Sequence, residues 1–325
     1  MDGTFVRGRV IDPKVLRELC QRSDLRGALQ AGSHFGAIAL AGTTLWMSWG
    51  TWWAVPVFMT HGVLINFLYA GQHELSHGTP FKTKALNEWL GRLIGFLMLY
   101  PRDFDLIQHT AHHKWTQDWA RDGELAREPY TLRSYLMWLF GLTYWWSRIT
   151  RLLRLSRAVV LEPYIRPDQE ALVIREARMH VALYVMIAIL SLVLQSWAAV
   201  ILWLAPMMAM KVVHQLQNTI EHLGLSHEDD ILANTRSTRT NALMRWVCWN
   251  MQYHTAHHAF PSVPFHSLSS LNARLTEGAG RAPYSMGYLE FQIEVIRQLW
   301  GGKSEADYPY DEVWITSRGD RISLD

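Results

Sequence analysis

The chain has 325 residues, 49% of them hydrophobic, with 16 Trp and a formal net charge of only +2. That balance gives no electrostatic case for a nucleic-acid partner. The two cysteines, Cys20 and Cys248, make neither a disulfide framework nor a CxxC knuckle, which points to a reducing compartment.

Residues 1–29 read as a charged cytosolic segment, with no cleavable signal ahead of the first apolar run. No Lys or Arg occurs between Arg26 and Lys82, and this gap holds two apolar runs, about 30–49 and 52–70, broken at Gly50-Thr51. A second gap, between Arg178 and Lys211, holds runs of about 179–194 and 197–213, broken at Gln195-Ser196. Roughly 20 apolar residues in a helix cross a bilayer, so the pattern predicts four transmembrane helices as two hairpins. All the basic residues lie on segments that join or flank the hairpins. The positive-inside rule therefore places those segments and both termini in the cytoplasm. The competing reading is a pair of buried helical hairpins in a soluble protein.

Between the hairpins, Tyr135–Trp146 is apolar but too short to span, and it leads into Arg148, Arg151, Arg154 and Arg157. Arginines at this spacing are expected along one face of an interfacial helix on anionic headgroups, or on an ordinary solvated face. Residues 30–275 are expected to form the membrane domain, and 276–325 a cytosolic segment with a polar, peripheral tail after Trp300.

Most of the 15 His fall in three boxes: His73-Glu-Leu-Ser-His77, His109-Thr-Ala-His112-His113 and His254-Thr-Ala-His257-His258. A chance HxxHH is expected in only about 0.03 of such chains, so two copies carry weight. Imidazole is a common ligand for iron, zinc and copper. Residues i and i+4 share a helix face, so each box aims two ligands at one point, and HxxHH adds a third able to reach a second metal. Eight nitrogens exceed the needs of one ion, so two metals are implied. Counting about 25 residues at 1.5 Å each from the start of helices two and four reaches His77 and His222 at one height, just past a hydrocarbon core of roughly 30 Å. Asn218-Thr-Ile-Glu-His222 repeats the spacing of box one, which makes His222 a ninth ligand and Asn218 a candidate ligand through water.

Glu74, Glu221 and Asp118 are candidates for orienting a ligand imidazole, and Asp122 and Glu124 also lie near the boxes. His61, about 120° off the His73 face, is expected to bond a neighbouring helix. His214 is expected in packing or beside a ligand, with the substrate channel as the alternative. No role is expected for His34, His180, His227 or His266. His73-Glu-Leu-Ser-His77 also matches the HExxH of zinc metalloproteases. That reading leaves both HxxHH boxes unexplained. A membrane metal-binding protein without catalysis is a further alternative.

On these boxes, and on the run Asn250–Phe265 and the segment His112–Asp118, the chain resembles the membrane fatty acid desaturase and hydroxylase superfamily, bacterial type, over roughly residues 35–275. The resemblance implies an all-α integral membrane fold: four spans capped by a cytosolic helical domain holding a di-iron site. It implies two Fe, O2 as co-substrate, a lipid or acyl-chain substrate, and a place in the bacterial inner membrane with the active site cytoplasmic. Electrons would come from a separate donor such as ferredoxin, rubredoxin or cytochrome b5, since no fused His-Pro-Gly-Gly motif is present. Box one is HxxxH, not the HxxxxH of acyl-CoA stearoyl desaturases, which argues against an acyl-CoA substrate. Desaturation is the leading activity, with hydroxylation of a lipid or smaller metabolite as the alternative on the same metal site.

Overall fold

The computed structural model describes residues 10–316 and is mostly helical. The outermost residues of both termini, which the sequence places in the cytoplasm, lie outside this range. Helix α1 (Asp24–Ser48) starts at Ser23, whose hydroxyl accepts from Arg26 N, and it ends at the Gly50 turn. The chain returns through α2 (Ala54–Asn66) and α3 (Leu68–Ser76), one apolar run interrupted at Phe67. Gly50 has a φ of 87°, the left-handed region where a residue without Cβ is unstrained. The break expected at Gln195 is also real, with φ 49°.

Next come α4 (Lys84–Leu97), α5 (Arg102–Lys114), α6 (Leu132–Leu139), α7 (Leu142–Ser156) and α8 (Pro167–Val193). The return from α8 is not the straight helix expected from the sequence. It opens with a π-helical turn, Val200–Leu204, passes through α9 (Ala205–Ala209) and α10 (Lys211–Asn218), and tightens into a 3-10 turn, Thr219–Glu221. Pro206 explains part of this. It has no N–H for Leu202 O, four residues back, and His61 Nε2 lies 2.8 Å from that carbonyl. His61 is thus the interhelical partner that its position predicted.

The two hairpins meet closely. A Cβ on Gly62 would overlap the Pro206 carbonyl, and Asn66 Nδ2 donates to Gly62 O and to Met207 O, each at 2.8 Å. Two continuous runs, Ala54–Ser76 and Pro167–Val193, are long and apolar enough to cross a membrane. Large apolar side chains stay exposed at both hairpin tips: Trp52 is 91% and Trp197 71% exposed, with Trp53, Leu192 and Val193 close by. Surfaces of this kind seek an apolar or interfacial partner.

Beyond the second hairpin lie the short helix α11 (His254–Ala259), then α12 (Leu268–Ala279) and α13 (Tyr288–Trp300). An all-helical reading missed one feature here. β1 (Arg236–Arg239) pairs in parallel with β2 (Tyr284–Gly287), Arg236 opposite Tyr284. The tail is not peripheral either. Trp314 and Ile315 are buried beside Ile220 and Leu223, and both donate backbone N–H to Gly224 O. This packing fixes the loop that carries His222.

Candidate metal centre

Each box has a definite local support. His73 lies on α3 and His77 caps its C-terminus. His109, His112 and His113 occupy the last turns of α5, and α11 begins at His254 and carries the third box. His222 follows the 3-10 turn with φ −133°, so it comes to the site from a bent terminus and not from the helical face it was expected to share with Asn218.

The nine histidines sort into two groups, each with ligand atoms within 4.8 Å of one another. The first comprises His73, His77, His109, His113 and His257; the second comprises His112, His222, His254 and His258. The division follows helix geometry. In box two the i, i+4 pair, His109 and His113, serves the first group and His112 the second. In box three the pair His254 and His258 serves the second group and His257 the first. The two boxes therefore cross over.

Within the groups, the Nε2 atoms converge. His77 and His109 approach to 2.8 Å, His113 and His109 to 2.9 Å, His257 and His113 to 3.1 Å, and His254 and His222 to 2.8 Å. Both ring nitrogens of His73 and Nδ1 of His113 are buried without a hydrogen-bond partner. Leaving such atoms unsatisfied costs about 1–3 kcal/mol each, and a cation at the first point of convergence would take one nitrogen of His73 and so relieve part of that cost. The donor set therefore fits two metal ions that accept nitrogen ligands.

The electrostatics agree. Burial pulls His222 down to about 3. Burial, with the neighbouring imidazoles, also holds His113, His254, His257 and His258 well below the ordinary histidine value. These rings are neutral at physiological pH, the form that binds metal. His112 is the exception. Burial pulls it down, but the Asp122 and Glu124 carboxylates outweigh that and carry it up to about 9.

Carboxylates stand behind four of the rings. Glu124 Oε1 is 2.8 Å from His109 Nδ1, and both Asp122 oxygens are 3.0 Å from His112 Nδ1. Glu221 lies 3.6 Å from His254 Nδ1, and Glu74 lies 3.6 Å from His257 Nδ1. A carboxylate on Nδ1 fixes the ring and leaves Nε2 to the metal. Asp118, expected in this role, instead pairs with Arg121 and caps Ala120 N. Its turn carries the chain on to Asp122, the residue that does reach a ring. Asn218 lines the adjoining cavity, and its Nδ2 is 3.4 Å from Glu221 Oε2.

Two residues that sequence reasoning passed over shape the second group. Gln117, with a left-handed φ of 68°, donates from Nε2 to His222 O at 2.6 Å, and its own N–H donates to Asp122 at 3.0 Å. Such a backbone costs of order 1 kcal/mol, and its placement couples box two to His222. Buried Arg236 donates to Ile220 O (2.6 Å), Leu223 O (3.0 Å) and Ile315 O (2.8 Å), clamping the turn on both sides of His222. Neither had a local signal. His227 had none either, yet its Nδ1 lies 2.9 Å from Gln117 O.

Glu74 bears on the HExxH reading. Its Oε2 accepts from Thr79 Oγ1 (3.1 Å) and Phe265 N (2.9 Å), while Oε1 faces His257. It braces a ligand from behind, whereas a protease base must face a metal-bound water.

A cavity of about 500 Å³ opens beside the cluster, and His73, His109, His112, His222 and His254 form one wall. The arrangement suits redox chemistry on a substrate held against a pair of metals.

The family model described as fatty acid desaturase matches residues 38–289. Among curated relatives, an sn-1 oleoyl-lipid 12-desaturase of Picosynechococcus sp. is 20% identical over 298 residues, covering 84% of this chain and 81% of the relative. A Delta(5) fatty acid desaturase of Caenorhabditis elegans is 25% identical over 264 residues, 69% of this chain and 58% of that one. An sn-1 acyl-lipid omega-3 desaturase (ferredoxin) of Synechocystis sp. is 25% identical over 241 residues, 67% of this chain and 66% of the relative.

Proposed function

Since the chain belongs to the fatty acid desaturase family and is an oxidoreductase of lipid metabolism, we propose that it is an O2-dependent acyl-lipid desaturase working on two irons. The observation that carries this reading is the sorting of nine histidines into two groups of metal-binding size. His73, His77, His109, His113 and His257 would hold one iron. His112, His222, His254 and His258 would hold the other, with Asn218 reaching it through water. When bound, the iron pair supplies the oxidising power to remove hydrogen from an unactivated alkyl chain, using O2 and two electrons.

The protein's part is positioning. Glu124 holds the His109 imidazole in the tautomer that offers Nε2, Asp122 would do the same for His112 once its Nε2 proton gives way to a metal, and Glu74 and Glu221 stand ready behind two more. The cavity wall formed by His73 and His109 brings an alkyl chain against the cluster. In this reading the hairpins are four spans of the bacterial inner membrane, and the boxes form a cytoplasmic cap with both termini on the same side. The exposed Trp at the hairpin tips would then lie at the opposite interface. Electrons come from a separate carrier, such as ferredoxin, rubredoxin or cytochrome b5; one relative bears ferredoxin in its name.

The purified chain should contain about two irons. Mass spectrometry of lipids from a host with and without intact boxes should show loss of the mass of two hydrogens. A gain of one oxygen atom would make it a hydroxylase, and one zinc with proteolysis of a membrane substrate would overturn the di-iron reading.

A further inference from the structure

The cavity beside the histidines is not the apolar tunnel that an alkyl chain alone requires. Arg148 and Arg151, three residues apart on α7, both line it. Their helix neighbour Arg154 is paired with Glu162, and Arg127 across the cavity is paired with Glu305. Arg148 and Arg151 have no carboxylate within ion-pair distance among the described residues. Arg148 stacks 3.0 Å over the Tyr100 ring, and its Nη1 is buried without a hydrogen-bond partner. Arg151 lies 4.4 Å from the Phe104 ring centre. Behind them, wholly buried Lys211 has Nζ 3.7 Å over Tyr144 and 3.0 Å from His214 Nδ1, again with no carboxylate. His214 and Tyr144 also face the cavity.

A counter-charge to Arg148, buried Asp105, is in electrostatic reach but accepts its hydrogen bond from Gln72, so neither arginine has a carboxylate in contact, and aromatic faces offset only part of the cost of drawing a cation from water. Guanidinium also presents a planar fork suited to carboxylate or phosphate oxygens. We propose that this chamber takes the anionic end of an amphiphilic substrate, a carboxylate or phosphate held by Arg148 and Arg151. The proposal rests on the desaturase reading for its alkyl portion. Tyr100 joins the two ends of the chamber, since it lies under Arg148 while its hydroxyl donates to Gln108, the residue before His109. The anionic end and the oxidised carbon therefore share one chamber, and oxidation falls close to the charged end of the chain.

Binding can be measured without turnover, on the iron-loaded full chain in neutral detergent with no reductant. Titrations with oleate, oleyl phosphate and methyl oleate compare a carboxylate, a phosphate and a neutral ester on one chain. One or both anions should bind at least about tenfold tighter than the ester, since charge-assisted hydrogen bonds are the strong ones. Preference for oleate identifies a free acid, and preference for oleyl phosphate a phosphorylated lipid. Arg148→Gln should erase the preference, and Arg157→Gln, at the exposed end of the same helix, should keep it. If Arg148→Gln fails to fold, the three ligands on the unaltered protein still decide. Equal affinity for ester and anions, or a preference that survives in folded Arg148→Gln, overturns the proposal. Anion preference without oxidation of any acyl chain would instead sink the desaturase reading, and oxidation without preference would sink only this one.

Discussion

The two histidine groups are built from the same residue type but held in different ways. All five members of the first lie on or cap regular helices, His73 and His77 on α3, His109 and His113 on α5 and His257 on α11, and so do three of the second group's four, His112, His254 and His258. The second takes His222 from a bent terminus that keeps its shape only through Arg236, Gln117 and the returning tail. The first group is thus supported by local structure throughout, and the second depends at one position, His222, on contacts between segments far apart in sequence. Local support resists substitution at a distance, whereas long-range support does not.

The sharpest break in that comparison is to remove a ligand from each side. His257→Ala should abolish activity and lower iron from about two to about one per chain, leaving the bundle folded. His254→Ala should do the same to the other iron. Elemental analysis with Mössbauer spectra would tell which iron remains; full activity in either variant would remove that residue from the ligand set.

Acid should act on both groups at once. The metal-free fold holds His222 near 3 and its neighbours well below 6.5, so the unfolded chain binds more protons between those values. Stability should therefore fall as pH drops below about 6.5. His112 runs the opposite way, adding stability that is lost as pH rises through about 9. Thermal unfolding of metal-free protein across pH, with an acid limb absent, would contradict this account.

Arg236→Met separates the groups at a distance from either metal. It strips donors from three buried carbonyls, at about 1–3 kcal/mol for each left unsatisfied. It should loosen the His222 iron while the first iron is retained. Loss of both irons in equal measure would show that the two supports are not independent.

The smallest effects concern the carboxylates. Asp122→Asn should weaken the second iron, and Glu124→Gln the first, each by roughly 10–100-fold in affinity. Asp118→Asn, which breaks only a surface pair with Arg121, should change metal content little and stability by at most about 1 kcal/mol. Competition with a chelator would rank the three.

What could be read in advance follows the same divide. The boxes, the two hairpin turns and His61 are local patterns with a period or a breaker residue, and they were legible. The pairing of 236–239 with 284–287 joins segments with no shared local signal, and burial of Trp314 depends on that fold. The choice of Asp122 over Asp118 turns on how one loop bends. The arginines after Trp146 do not share the one face expected of them, for a simpler reason. A spacing of three falls short of a full turn by about 60° each time, so the series winds from the cavity at Arg148 to solvent at Arg157.

The contact between His61 and Leu202 bears on how the chain is made. Pro206 deprives Leu202 O of its usual donor four residues on, and His61 of the first hairpin lies 2.8 Å from that carbonyl. In a bilayer that acceptor finds no water. If the hairpins span a bilayer as proposed, the second would lack a partner for this carbonyl until it docks on the first, and the histidine boxes, carried on segments that follow the two hairpins, would come together only with that docking.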